Sequence, residues 1–169
     1  MLIDIKTISR SRGASIAIET ETSPEELIFS FQGYRLTRPL VFQGMLQNTG
    51  EGILSLTGRI QTAFAGECAR CLVIVQTELD LLLAETFRST ATAQTAGLED
   101  SYAFDGNIVD ISQAILDNLL PAMPQRLICR DDCQGICPDC GGNLNEKRCE
   151  CAAARNGKAS PFDQLKQLL

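Results

Sequence analysis

The chain contains no histidine. That removes the commonest general base and leaves thiolate as the only soft metal-ligand type. No run of roughly 18 apolar residues offers a transmembrane helix, and Met1-Leu2-Ile3-Asp4 places an acid where a secretory signal needs an apolar stretch. The expectation is a cytoplasmic protein without a membrane partner. Neither a phosphate-cradling G-x-x-x-x-G-K-[ST] nor a G-x-S-x-G nucleophile elbow occurs. The 21 acidic residues are scattered, and no carboxylate pair stands out from a solvated face. The sequence therefore reads as a non-enzyme with no small-molecule substrate.

Positive charge is also scarce. Fifteen Lys and Arg face 21 Asp and Glu, for a net charge of −6, which argues against coating nucleic acid by bulk electrostatics. A zinc ion held by four thiolates adds about −2, so two such sites move the chain toward about −10. Any RNA contact must then use a local patch, such as Arg126 and Arg130 or Lys147 and Arg148.

What the chain does have is period-two alternation over its first two-thirds, the sign of half-buried strands. Leu54, Leu56, Ile60 and Phe64 fall on one face, opposite Ser55, Thr57, Arg59 and Gln61. Val73, Val75, Leu79, Leu81 and Leu83 repeat the pattern opposite Gln76, Glu78 and Asp80. Leu40 to Leu46 reads as a further strand, joined onward through the turn Asn48-Thr49-Gly50-Glu51-Gly52. Shorter strands are expected at Leu2 to Ile8, Ile16 to Ile18 and Leu27 to Phe31, and Ser89 to Ser101 reads as a linker.

Asp110 with Gln113 makes a capping-box-like start for a helix carrying Ile111, Ala114, Ile115 and Leu119, ended by Pro121 and Pro124. Ser160-Pro161-Phe162-Asp163 opens a short terminal helix with Phe162, Leu165, Leu168 and Leu169 as its apolar stripe. The expected fold is α+β: an antiparallel, barrel-like sheet with one or two helices and a zinc-braced, cysteine-rich C-terminal segment. Residues 1–125 form the β-rich body, with its helix near 110–120, and residues 126–169 form the tail of what is one folded unit.

Eight cysteines carry the chemistry. A chain of 169 residues can bury a core without disulfide staples, and cytoplasmic thiols stay reduced, so the clustering asks for metal. Zinc needs four thiolates at about 2.3 Å, and two cysteines a few residues apart supply half of that set from one turn. Cys137-Pro138-Asp139-Cys140-Gly141 is such a turn, and Cys149 with Cys151 completes a site after an eight-residue excursion. The remaining four are Cys68 and Cys71, between two predicted strands, and Cys129 and Cys133, after the helix. They form a second zinc site if the helix returns along the sheet; the alternatives are free thiols or another division of the eight ligands. Cys133, Cys137 and Cys140 also match C-x3-C-x2-C, an iron–sulfur spacing, but the large scaffold such chemistry needs does not follow. A thioredoxin-like redox pair at Cys68 and Cys71 lacks the helix N-terminus that would lower a thiol pKa.

The order of these features resembles the YceD family, the large-ribosomal-RNA accumulation proteins of bacteria and plastids. The resemblance runs from Leu40 to Leu169 and rests on Gly66-Glu67-Cys68-Ala69-Arg70-Cys71-Leu72, the aspartate-led helix from Asp110, P-x2-P, C-x3-C-x3-C-P-x-C-G, Asn143-Leu144-Asn145, the C-x-C of Cys149 and Cys151, and the terminal Pro-Phe segment. It implies a role in synthesis, processing or stability of large-subunit (23S) ribosomal RNA, without an established enzymatic activity. The implied partner is a large-subunit ribosomal RNA precursor or assembly intermediate, and the acidic charge favours reaching it through a protein. A zinc-dependent protein-interaction adaptor and a thiol oxidoreductase are the competing readings.

Overall fold

The structure, a computed structural model, describes residues 1–23, 33–92 and 101–151. The chain divides into two compact units, one of Met1–Gly66 with Gln76–Gln125 and one of Glu67–Val75 with Arg126–Leu169. The expected strand at Leu27 to Phe31 and the terminal helix from Ser160 lie outside the described residues.

Strands β1 (Leu2–Asp4), β2 (Ser15–Thr22), β3 (Arg35–Leu36), β4 (Leu40–Gly50), β5 (Ile53–Glu67), β6 (Ile74–Ser89), β7 (Tyr102–Phe104) and β8 (Ile108–Asp110) precede the helix α1 (Ser112–Ala122). A six-stranded sheet runs in the order β2-β4-β5-β6-β7, with β3 paired to β5, and β1 pairs separately with β8. The sheet is open rather than barrel-like. Its path begins at β2 and ends at β7, and among the described residues no pairing joins these edges. Nor is it wholly antiparallel, because β7 lies parallel to β6. A parallel neighbour needs a long return connection, and the stretch expected as a linker supplies it. Thr90–Thr92 of that stretch form a 3-10 turn, and residues 93–100 lie outside the described set.

Alternation sets the core. Phe42 faces Ile60 and Leu46 faces Leu56 across β4 and β5, and all four are fully buried. They pack with Leu83 and Phe87 of β6 and Ile111, Ile115 and Leu119 around α1. Two glycines interrupt this inward face, Gly44 opposite Gly58. A Cβ on either would come within 2.6 Å of the Phe42 ring, so the ring occupies the room that two side chains would need. Asn48 also points inward and is buried. Its amide donates to the carbonyls of Ile8 at 2.8 Å and Ser9 at 3.0 Å, which removes the penalty for burying it.

Local expectations needed several corrections. Strand β1 stops at Asp4, because the chain turns so that Ile5 and Ile8 both enter the core. Strand β2 is longer than Ile16 to Ile18. Asn48, Thr49 and Gly50 belong to β4; the turn itself is Glu51 and Gly52, and it is reached through three consecutive positive φ values from Gly50 to Gly52. Val73 precedes β6 and is exposed. In α1 the N-cap is Ile111; Asp110 instead accepts the Ser112 amide at 2.9 Å. Gln113 donates to Asp117 rather than reaching back, so no reciprocal capping box forms. Pro121 lies within the last turn of α1, and only Pro124 follows it.

Candidate metal centres

Among the described residues of the second unit, Cys68, Cys71 and Cys133 form a buried cluster, with Val75 against it. The unit's eight thiols form two quartets. Cys68, Cys71, Cys129 and Cys133 make one, Cys137, Cys140, Cys149 and Cys151 the other, and within each quartet every sulfur lies within 4.8 Å of the rest. In the first, Cys68 Sγ to Cys133 Sγ is 3.9 Å and Cys71 Sγ to Cys129 Sγ is 3.6 Å. A tetrahedron with metal–sulfur bonds of about 2.3 Å has edges of about 3.8 Å, so the set fits one four-coordinate ion. The C-x3-C-x2-C spacing is split between the quartets, Cys133 falling in one and Cys137 and Cys140 in the other.

Each quartet is seeded by a knuckle of the same shape. The Leu72 amide donates to the Cys68 carbonyl at 2.9 Å, and the Gly141 amide to the Cys137 carbonyl at 2.8 Å. Both donors sit in the left-handed region, Gly141 at φ 71° and Leu72 at φ 63°. Glycine adopts that conformation freely, whereas a leucine there carries about 1–2 kcal/mol of strain. Leu72 is half exposed, so its side chain returns little packing. Leu72→Gly is therefore expected to slow metal loss from the first quartet slightly, by no more than about tenfold. Chelator-competition kinetics measure this, and faster loss in the variant would show that the exposed side chain is needed for retention.

The first quartet is gathered by backbone pairing as well as by sulfur. Cys68 and Leu127 form a parallel bridge, and the Ala69 amide donates to the Leu127 carbonyl at 2.8 Å. Arg70 Nη1 donates to the carbonyls of Asp131 at 3.0 Å and Cys133 at 3.1 Å, while the Arg70 carbonyl accepts the Ile136 amide. Gly135, at φ 75°, passes so close that a Cβ would lie 3.0 Å from the Arg70 carbonyl oxygen. Arg70 and Gly135 thus clamp the two halves of the site, a role that spacing alone did not reveal.

Electrostatics favours a cation at both places. Burial pushes the Cys68 thiol up, but amides of Arg70, Cys129 and Cys71 aimed at its sulfur overcome this and hold it at about 6. Burial likewise opposes ionisation of Cys133, and the Asn145 side chain and the Gly135 amide lower it. Cys129 is driven up to about 12 by burial and by the neighbouring sulfurs. In the second quartet the amides of Cys140 and Asp139 bring Cys137 down to about 7, while Cys140 and Cys149 push Cys151 up to about 12. Each cluster can carry some thiolate near neutrality but not four without a positive ion. Metal uptake must therefore release protons and weaken as pH falls.

An open-sheet α+β protein with two four-cysteine clusters able to hold metal is the class these features define. The chain belongs to the YceD family: the family described as "Large ribosomal RNA subunit accumulation protein YceD" matches residues 56–169, a span that includes all eight cysteines. An uncharacterized protein of Mycobacterium tuberculosis is 33% identical over 148 residues, covering 83% of this chain and 69% of the relative. One from Mycobacterium leprae is 27% identical over 85% of this chain and 67% of its own. The chloroplastic large ribosomal RNA subunit accumulation protein YCED homolog 1 of Arabidopsis thaliana is 32% identical over 72 residues, 41% of this chain and 22% of that protein. No solved structure matches. Among the described residues no helix is long and apolar enough to cross a membrane.

Proposed function

We propose that this protein is a non-enzymatic, cytoplasmic factor that supports accumulation of large-subunit (23S) ribosomal RNA, acting on its synthesis, processing or stability during ribosome assembly. Both cysteine quartets hold structural zinc in this reading. The observation that carries it is the family match, which spans the whole cysteine unit. Depletion should lower 23S relative to 16S ribosomal RNA, and an unchanged ratio would refute the role.

Contact with the assembling subunit is made mainly through a protein component. Phosphate binding gains affinity in proportion to the basic side chains engaged, and here they are few. From Arg126 to the C-terminus seven Lys and Arg meet six acids, before thiolate charge is added. Arg130 is already committed, pairing with Asp132 at 3.3 Å and donating to Asn145 at 2.9 Å. Arg126, Lys147 and Arg148 are exposed and can orient on a phosphate cluster without supplying bulk affinity. Binding of purified protein to ribosomal RNA fragments is expected to be weak at about 0.15 M salt, and co-sedimentation with precursor particles should survive nuclease trimming. Tight, sequence-selective binding to naked RNA would overturn this mode of contact.

The adaptor reading shares that mode, and Leu72, Ile74, Ile128 and Ile136, all exposed on the cysteine unit, favour it as the mechanism. A thiol oxidoreductase is disfavoured because Cys68, the thiol lowered to about 6, is fully buried and a disulfide substrate needs access to the attacking sulfur.

A further inference from the structure

We propose that Asn145 couples the two cysteine clusters: its side-chain N–H holds the Cys133 sulfur of the first, while its loop is closed by ligands of the second, so that metal in one strengthens retention in the other. The inference rests on the reading that both quartets hold zinc.

The Asn145 side chain uses its whole hydrogen-bonding capacity within this unit. Its Nδ2 donates to Cys133 Sγ at 3.4 Å and to Asn143 Oδ1 at 2.8 Å. Its Oδ1 accepts from the Gln134 amide at 2.8 Å and from Arg130 Nη2 at 2.9 Å. Cys133 is a ligand of the first quartet, yet Asn145 lies in the excursion between Cys140 and Cys149, which belong to the second. A ligand of one site is therefore oriented from inside a loop that the other site closes.

That loop is fastened to the first site at a second point. The Leu144 amide donates to the Gly135 carbonyl at 2.9 Å, and the Gly135 amide faces the Cys133 sulfur. Asn143 Oδ1 also accepts the Asn145 amide at 3.0 Å, which fixes the turn that presents the side chain. Metal bound by Cys137, Cys140, Cys149 and Cys151 ties both ends of the excursion and reduces the conformations open to Asn145. Groups that hydrogen-bond to a ligand change metal affinity by about 10–100-fold when lost, and coupling between two binding sites is reciprocal. An amide suits the position better than a carboxylate, which offers sulfur no proton and adds a like charge beside thiolate.

The test uses full-length protein. Elemental mass spectrometry first counts zinc, with two per chain expected; fewer overturns the two-site reading and the coupling with it. Release to a chromogenic chelator is then followed. Asn145→Asp, which keeps both acceptor bonds, should speed loss of one zinc by about 10–100-fold. Removing the second site by Cys149→Ser with Cys151→Ser should speed loss of the remaining zinc about tenfold or more, and adding Asn145→Asp to that variant should change little further. In cobalt-substituted protein, Asn145→Asp should move the thiolate-to-cobalt charge-transfer band to lower energy, a shift that a merely structural role would not produce. Should Asn145→Asp not fold, Asn143→Ser removes the acceptor that orients Nδ2 and is expected to act in the same direction. Two zinc ions per chain with release rates and band position unchanged by these substitutions would show the sites to be independent.

Discussion

Purified protein is expected to carry two zinc ions per chain, and stripping them should unfold the cysteine unit while the sheet persists. The first unit has a continuous apolar core from Ile5 and Phe42 through Leu83 to Leu119. Among the described residues of the second, the buried cluster consists of thiols with Val75 against it, so metal binding rather than apolar burial is expected to offset the entropy of ordering the chain. In small metallo-domains the metal-binding free energy becomes folding free energy, about 10–16 kcal/mol for zinc-finger peptides near neutral pH. That is as large as the whole stability of a typical domain, about 5–15 kcal/mol. Hydrogen exchange before and after chelation should show protection lost over Glu67–Val75 and residues 126–151 and retained in β4, β5 and α1. One metal per chain would leave Cys68, Cys71, Cys129 and Cys133 as ordinary thiols, and a visible charge-transfer spectrum of the purified protein would point to iron.

Cys68→Ser is expected to do more damage than Cys140→Ser. Cys68 is fully buried, and its sulfur accepts the amides of Arg70 at 3.5 Å and Cys129 at 3.4 Å. It therefore holds segments from both parts of the second unit. Cys140 is exposed and closes only the later excursion. Serine at position 140 should cost one zinc and loosen residues 137–151, with the first quartet still filled. Serine at position 68 should empty the first quartet and open residues 126–136 to protease as well. Metal content and limited proteolysis read both outcomes, and identical cleavage patterns for the two variants would contradict this hierarchy.

The strand faces were legible because burial on one side of a sheet repeats every second residue. Leu54, Leu56 and Ile60 needed only that period, and Ile115 and Leu119 only the helical one. The alternation fails from Thr62 to Gly66, where every residue is buried. There the chain around Thr37 pairs alongside β5, its amide donating to the Ala63 carbonyl at 2.8 Å. Asp110 and Gln113 misled for a related reason. A capping signature describes what a side chain can do locally, and here Gln113 found Asp117 instead.

For the cysteines, spacing pairs the thiols that share a turn, since two sulfurs a few residues apart can reach one point whatever the rest of the chain does. It cannot decide which pairs meet, because Cys68 and Cys133 are brought to 3.9 Å only by the bridge between Cys68 and Leu127 and by the reach of Arg70. The sequence by itself determined the inward faces of the long strands, the helix and the paired thiols, all set by contacts within a few residues. Only the tertiary structure decided that the sheet stays open with β7 parallel to β6, that Leu72 takes a glycine's conformation, and that Asn145 of one loop turns its amide to a sulfur of the other quartet. Each of these depends on which distant segments become neighbours, and local propensity carries no record of that.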